Sequence, residues 1–171
     1  MTSSSKNVVA DNVVAFNGDA ARNDNGVEVL KSDTATLIGN RIVSNSIFSN
    51  QNLGIDLSNS GSGGREQDLK DPDTGVNYLQ NFPVITAATS TATLNSKPRK
   101  NFTIQLFSNP SATDEGKTFL GQVRKKTNRQ GKASFSFFGP AVPQGDEITA
   151  TATSPDGTSE FSDPVGVVPA S

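Results

Sequence analysis

"NRIVSNSIFSN", residues 40–50, sets Asn40, Asn45 and Asn50 five apart with apolar residues between them. Residues 7–17, "NVVADNVVAFN", set Asn7, Asn12 and Asn17 in the same way, so the two stretches superpose residue for residue at an offset of 33. Val9, Val14, Ile42 and Ile47 then occupy equivalent places. Other apolar bursts between residues 1 and 60, such as "VEVL" and "GIDL", are too short for helices and are bounded by Asn, Gly, Asp and Ser, the pattern of brief strands between tight corners. The repetition predicts about two rungs of a parallel β-helix over residues 1–60. The four aliphatic residues would stack inward, and the corner asparagines would form a ladder whose amides bond from rung to rung. "GVEVL" at 26 and "LGIDL" at 53 align Gly26 with Gly54 at an offset of 28. The difference between the two offsets places a small insertion in "GDAARNDN" as an outside loop.

Working outward, residues 61–82 read as a connector, with Gly61, Gly63 and Gly64 loosening the backbone ahead of "DLKDPDTG". Beyond it, over residues 83–171, the period becomes two. In "FTIQLF" Phe102, Ile104 and Leu106 share a face; in "ASFSF" Ala133, Phe135 and Phe137 do so; in "ITATAT" Ile148, Ala150 and Ala152 alternate with threonines. These are predicted as half-buried antiparallel strands, with "NRQG" and "SPDG" as turns. About seven short strands, near residues 85, 93, 104, 121, 135, 150 and 162, fit a β-sandwich of about 85 residues.

"GNRIVSNSIFSNQNLGIDL" together with "LQNFPV" resembles the C-terminal end of bacterial right-handed parallel β-helix repeat proteins, and "EITATATSPDGTSEFSDPV" resembles the final hairpin of bacterial immunoglobulin-like domains. The resemblance implies a large secreted or cell-surface parent whose last rungs pass through a Gly- and Asp-rich segment into an immunoglobulin-like β-sandwich. It implies little about activity, because that repeat family spans polysaccharide lyases, epimerases and adhesins. Thr158 stands where the immunoglobulin-like family often has asparagine, which puts a loop-bound ion there in doubt. β-Helices of this kind usually need at least about three rungs and a cap. The chain is therefore expected to be a fragment of a longer protein, or to cover an open rung by self-association.

Composition narrows the chemistry. With neither cysteine nor histidine, disulfides, thiol catalysis, cysteine metal sites and the usual neutral-pH general base are all excluded. Formal charge is −2, with 15 basic against 17 acidic residues, so no broad attraction to nucleic acid or an anionic membrane is expected. No apolar run approaches the roughly 18 residues of a membrane span, and "MTSSSK" does not have the form of a signal peptide. Tyrosine occurs once, at Tyr78, and tryptophan not at all, which disfavours a carbohydrate-binding face of stacked aromatics.

Two groups of carboxylates stand out. If "GVEVL" and "GIDL" are the same strand of successive rungs, Glu28 and Asp56 point outward about 4.8 Å apart, unless Lys31 or another cation neutralises them. Such a pair could serve a polysaccharide lyase or glycoside hydrolase, or hold a cation, or simply be a solvated face. Asp68, Asp71 and Asp73 with Asn77 partly imitate a calcium loop turned by Gly75, although "DPDTG" is equally a plain turn. The run "RKKTNRQGK", Arg124 to Lys132, concentrates positive charge at what reads as a hairpin tip, to meet an acidic glycan or to keep a sheet edge from pairing. The expected role is a non-catalytic structural or adhesion module at the cell surface, with Ca2+ as a candidate ligand and a polysaccharide or surface glycan as a candidate partner. A polysaccharide-degrading fragment and an assembly module docking through the open rung are the alternatives.

Overall fold

A computed structural model of the chain describes residues 5–19, 21–22, 24–30, 37–57, 67–87, 91–110 and 112–166. Their regular structure is β throughout, apart from one short 3-10 turn at Val76–Leu79.

The N-terminal part holds six very short strands: β1 (Val8–Ala10), β2 (Val13–Ala15), β3 (Val27–Glu28), β4 (Arg41–Val43), β5 (Ser46–Phe48) and β6 (Ile55–Asp56). They pair in parallel as β1 with β4, β2 with β5 and β3 with β6. Val9 lies opposite Ile42, Val14 opposite Ile47, and Val27 opposite Ile55, the registers read from the repeat. The strands are short because the chain bends once per pentad. The residue before each asparagine has positive φ: Lys6 60°, Asp11 58°, Phe16 62°, Gly39 76°, Ser44 56° and Ser49 56°. A left-handed residue is costly for most side chains, so neighbouring bonds must hold it there. The asparagines supply them, as described below.

From Val84 the strands lengthen: β7 (Val84–Ala87), β8 (Thr91–Asn95), β9 (Asn101–Asn109), β10 (Thr118–Lys126), β11 (Lys132–Ser136), β12 (Glu147–Ser154), β13 (Gly157–Thr158) and β14 (Val165–Gly166). They form two antiparallel sheets. One has the order β11-β8-β7; the other has the order β10-β9-β12-β13, with β14 also paired to β12. Ile85, Leu94 and Phe135 from the first meet Phe102, Ile104, Leu106, Ala150 and Ala152 from the second in one apolar layer. In β8 and β11 the alternation of apolar and polar residues becomes an alternation of buried and exposed ones, as expected of a sheet with one wet face.

The larger sheet departs from that expectation. Thr149, Thr151 and Thr153 of β12 and Gln105 of β9 are buried, although their period puts them opposite the apolar layer. Their face packs on the N-terminal strands. Phe107 of β9 and Phe161 join Ile42, Ile47, Ile55, Leu57, Leu37 and Val76 in a second core, with the two rings edge to face at 5.4 Å. Fully burying an aliphatic or aromatic side chain of this size is worth about 1.5–3 kcal/mol, so this second core is a major tie between the two parts of the chain.

Two further expectations are corrected. The last strand is displaced from residue 162 to Val165–Gly166, and Phe161 and Ser162 lie between β13 and β14. That segment still runs beside β12, because Ser159 and Ser162 donate main-chain N–H groups to Ala152 and Ala150 and accept the reverse bonds on their hydroxyls. Hydroxyls thus replace main-chain carbonyls on one side of the ladder, and regular pairing is lost. The basic run is not a hairpin tip either. β10 and β11 belong to different sheets, and the turn Asn128–Gly131 carries the chain across the apolar layer.

Candidate functional site

The asparagine ladder is the most extensive polar feature of the N-terminal part. Asn7 N–H and Nδ2 donate to Asn40 Oδ1 at 3.2 and 2.8 Å; Asn12 does the same to Asn45 at 3.0 and 3.2 Å, and Asn17 to Asn50 at 3.2 and 2.8 Å. Nδ2 of Asn45 and of Asn50 return to the carbonyls of Val9 and Val14. The amides of Asn40, Asn45 and Asn50 therefore each bind both main chain and side chain of the asparagine opposite, which offsets the strain of the left-handed residues beside them, although Asn40 Nδ2 itself is buried without an acceptor.

Past Asn40 and Asn50 the ladder continues on residues that are not in the repeat. Asn77 Oδ1 accepts Asn40 N–H at 3.0 Å, and its Nδ2 donates to the carbonyls of Asn40 and Thr158. Glu115 receives Asn50 N–H and Nδ2 on Oε1, at 2.9 and 2.8 Å, and Ser49 N–H on Oε2 at 2.9 Å. Gln105 Oε1 accepts Ser44 N–H at 2.9 Å. Ile47 and Gly116 exchange two main-chain bonds, of 2.9 and 2.8 Å, and a Cβ on Gly116 would come within 2.5 Å of the Phe161 ring. Glycine is required there for close approach. Asn77, expected as a cation ligand, thus serves the ladder, and its amide is fully engaged. Gln105 and Glu115 were not anticipated. Alternation in "FTIQLF" only places Gln105 opposite the apolar face, and "DEGK" offers no periodicity that would set Glu115 apart from a loop acid.

Glu28 and Asp56 do come together, directly opposite each other across β3 and β6. Asp56 Oδ2 accepts Asn25 Nδ2 at 2.8 Å, while its Oδ1 is buried without a donor. Burial pushes both carboxyls above their ordinary range, and the charge of Asp56, then that of Asp24, raises Glu28 further; the Asn25 bond works against the shift at Asp56. Lys31 lies outside the described residues.

Asp68, Asp71 and Asp73 also converge, each bringing one oxygen within 4.8 Å of the others. Asp71 is buried, and burial is the largest cause pushing its carboxyl up, followed by bonds from Ser96 and Asn81 that pull it down. Gly61, Gly63 and Gly64 of the connector lie outside the described residues. Of the basic residues, Arg124, Lys125 and Lys126 line an open groove of about 740 Å³ together with Arg41 of β4 and without a carboxylate among its described lining residues. Tyr78 carries the Lys97 ammonium 3.4 Å from its ring centroid.

No protein-family model matches the chain, and no curated protein matches it. Among the described residues no helix is long and apolar enough to cross a membrane.

Proposed function

We propose that the chain is the closing segment of a right-handed parallel β-helix, ended by an immunoglobulin-like β-sandwich, and that it works as a non-catalytic structural or adhesion module of an extracellular or cell-surface protein. The observation that carries this reading is the continuation of the ladder: Asn77 and Glu115 receive Asn40 and Asn50 as a third rung would. A β-helix ends in unpaired main-chain groups and an apolar cross-section, and both must be covered to prevent edge-to-edge association. The sandwich sheet β10-β9-β12-β13 supplies that cover with matched polar groups and two phenylalanines. This is the work of a cap.

The resemblance of "LQNFPV" and of the β12–β13 hairpin to bacterial surface proteins supports the location. The acids Glu28 and Asp56 carry the competing enzymatic reading. It is tested by incubating the protein with a panel of acidic and neutral polysaccharides and following their chain-length profiles. Unchanged profiles are expected; shortening that disappears in Glu28→Ala or Asp56→Ala would replace the module by a polysaccharide-degrading enzyme.

An assembly role is favoured by one further observation. Val9 and Val27 are only half-buried and border a depression of about 290 Å³ with Asn7, Glu28 and Leu30 on the side of the ladder away from the cap. A parallel coil with asparagines at the same spacing is the complementary partner for that face. Sedimentation velocity over a concentration series tests self-pairing: a rising sedimentation coefficient supports it, and a constant monomer removes it.

A further inference from the structure

Away from the ladder, the buried polar groups that folding leaves least explained belong to Asp71 and Asn81. Carboxylate clusters are common on protein surfaces, and the convergence of Asp68, Asp71 and Asp73 alone identifies no ligand. Asp71, however, is only 1% exposed. Its Oδ2 accepts Ser96 Oγ at 2.5 Å and Asn81 N–H at 3.3 Å, whereas its Oδ1 is buried and meets no donor. A buried carboxylate oxygen beside two other carboxylates, with no proton donor, calls for a counter-charge.

Asn81 is an independent second sign. It is also 1% exposed. Its Nδ2 donates to the carbonyl and the carboxylate of Asp68, at 2.9 and 3.3 Å, and to the Asn95 carbonyl at 2.7 Å, so the amide is held against the aspartates. Its Oδ1 is nevertheless buried without a donor. Asn81 thus bonds both Asp68 and Asp71 through its N–H groups, while its own side-chain carbonyl, like Asp71 Oδ1, is buried and unpaired. Lys97 favours the Asp71 carboxylate through its charge, but its ammonium pairs with Asp156 at 3.4 Å and lies over the Tyr78 ring, and Oδ1 keeps no donor.

We infer that Asp68, Asp71, Asp73 and Asn81 form a binding site for a hard divalent cation, with calcium preferred over magnesium. Oxygens on opposite sides of a calcium ion are about 4.8 Å apart, twice a bond of about 2.4 Å. The aspartate oxygens lie within 4.8 Å of one another, close enough to share one ion, and three carboxylates with an amide carbonyl exceed the one or two carboxylates that magnesium usually takes while keeping several waters. Three carboxylates and one amide carbonyl leave room for waters or main-chain carbonyls to complete a shell of about six to eight oxygens. Ser96 follows β8 and Asn81 precedes β7, so the ion would tie the acidic loop to the end of the smaller sheet. This inference does not depend on the cap reading, since a cation site here is compatible with either a module or an enzyme.

The test is titration of the chelator-treated full chain with calcium chloride and with magnesium chloride, read by calorimetry, thermal unfolding and the NMR signals of the Asn81 side-chain amide. Calcium should bind with a Kd on the order of 0.1–1 mM, as in extracellular calcium modules. At about fifty times Kd it should raise Tm by about 5 °C, more than magnesium does. The Asn81 amide signals should move saturably. Asp73→Asn, at a half-buried position that need not disturb folding, should weaken calcium at least about tenfold; Asp11→Asn, an exposed acid on the ladder, should not. Absence of calcium heat and of a Tm shift in the folded wild type would overturn the inference. So would equal calcium effects in wild type and Asp73→Asn, or Asn81 signals that stay fixed while calcium binds.

Discussion

The two strand triplets of the N-terminal part have matching sequences and unlike surroundings. Ile42, Ile47 and Ile55 of β4, β5 and β6 are 4%, 1% and 1% exposed, whereas their partners Val9, Val14 and Val27 remain half-buried. The second triplet is covered by Phe107, Phe161, Asn77, Gln105 and Glu115; among the described residues no strand lies on the far side of the first. The same pentad therefore yields the same backbone path and the same ladder, but a different energetic weight. A repeat specifies what a strand and its corners can bond to, and its neighbours decide how much of that is withdrawn from water.

The comparison can be broken first at its apolar centre. Ile47→Ala removes three carbons from a fully buried position and should cost about 3–4 kcal/mol in urea unfolding, whereas Val14→Ala, its half-buried partner, should cost about 1 kcal/mol. Equal losses would mean that the first triplet is covered as well as the second. Next comes the substitute ladder position. Glu115→Ala leaves three N–H donors, those of Ser49 and Asn50, without acceptors in a closed interface. The expected loss is about 3 kcal/mol, and a loss under about 1 kcal/mol would indicate that water replaces the carboxylate freely.

The asparagines sharpen the contrast with a smaller effect. Asn45→Ala breaks bonds to Asn12 and to the Val9 carbonyl and should cost about 2 kcal/mol, against under about 1 kcal/mol for Asn12→Ala at the exposed corner. A reversed order would show that the first triplet carries the ladder. The smallest effect concerns the acids joining the triplets. Both Glu28 and Asp56 have carboxyls raised above their ordinary values of 4.5 and 3.8, chiefly by burial. A raised carboxyl contributes its stability fully below the ordinary value and loses it as pH rises through the folded one. Glu28→Gln should therefore raise the unfolding free energy in urea slightly at neutral pH, by under about 0.5 kcal/mol because solvent screens this exposed group, with the urea midpoint rising accordingly, and leave both unchanged near about pH 3. A lowered midpoint at neutral pH would reveal an attractive partner for Glu28.

The parts of the fold that were legible in the sequence are those built from local repetition. Asn7, Asn12 and Asn17 match Asn40, Asn45 and Asn50 because parallel pairing places like residues in register, so one offset predicts every pair. The facing of Glu28 on Asp56 followed from the same logic, as did the convergence of Asp68, Asp71 and Asp73, which are close in the chain. What was not legible came from long-range contact. Asn77 is far in sequence from Asn40, and nothing local distinguishes it from a loop asparagine near aspartates. Asn81 belongs to "LQNFPV", where period and charge give no hint that its amide is clamped between Asp68 and Asn95.

By itself, then, the sequence determined that the chain is all β, where brief strands between corners give way to strands of period two, which residues pair in parallel, and which acids meet. Those follow from period and spacing, which are properties of neighbours along the chain. Only the tertiary structure decided that β9 and β12, the centre of the larger antiparallel sheet, are buried on both faces. Thr149, Thr151 and Gln105 carry the same alternation as the exposed serines of β11, and period two specifies which side chains share a face without specifying what that face meets. The closing contacts were likewise decided in three dimensions, because Glu115, Gln105 and Asn77 acquire their partners only when the sheet settles against Ile42, Ile47 and Ile55 and excludes the water that would otherwise compete for their hydrogen bonds.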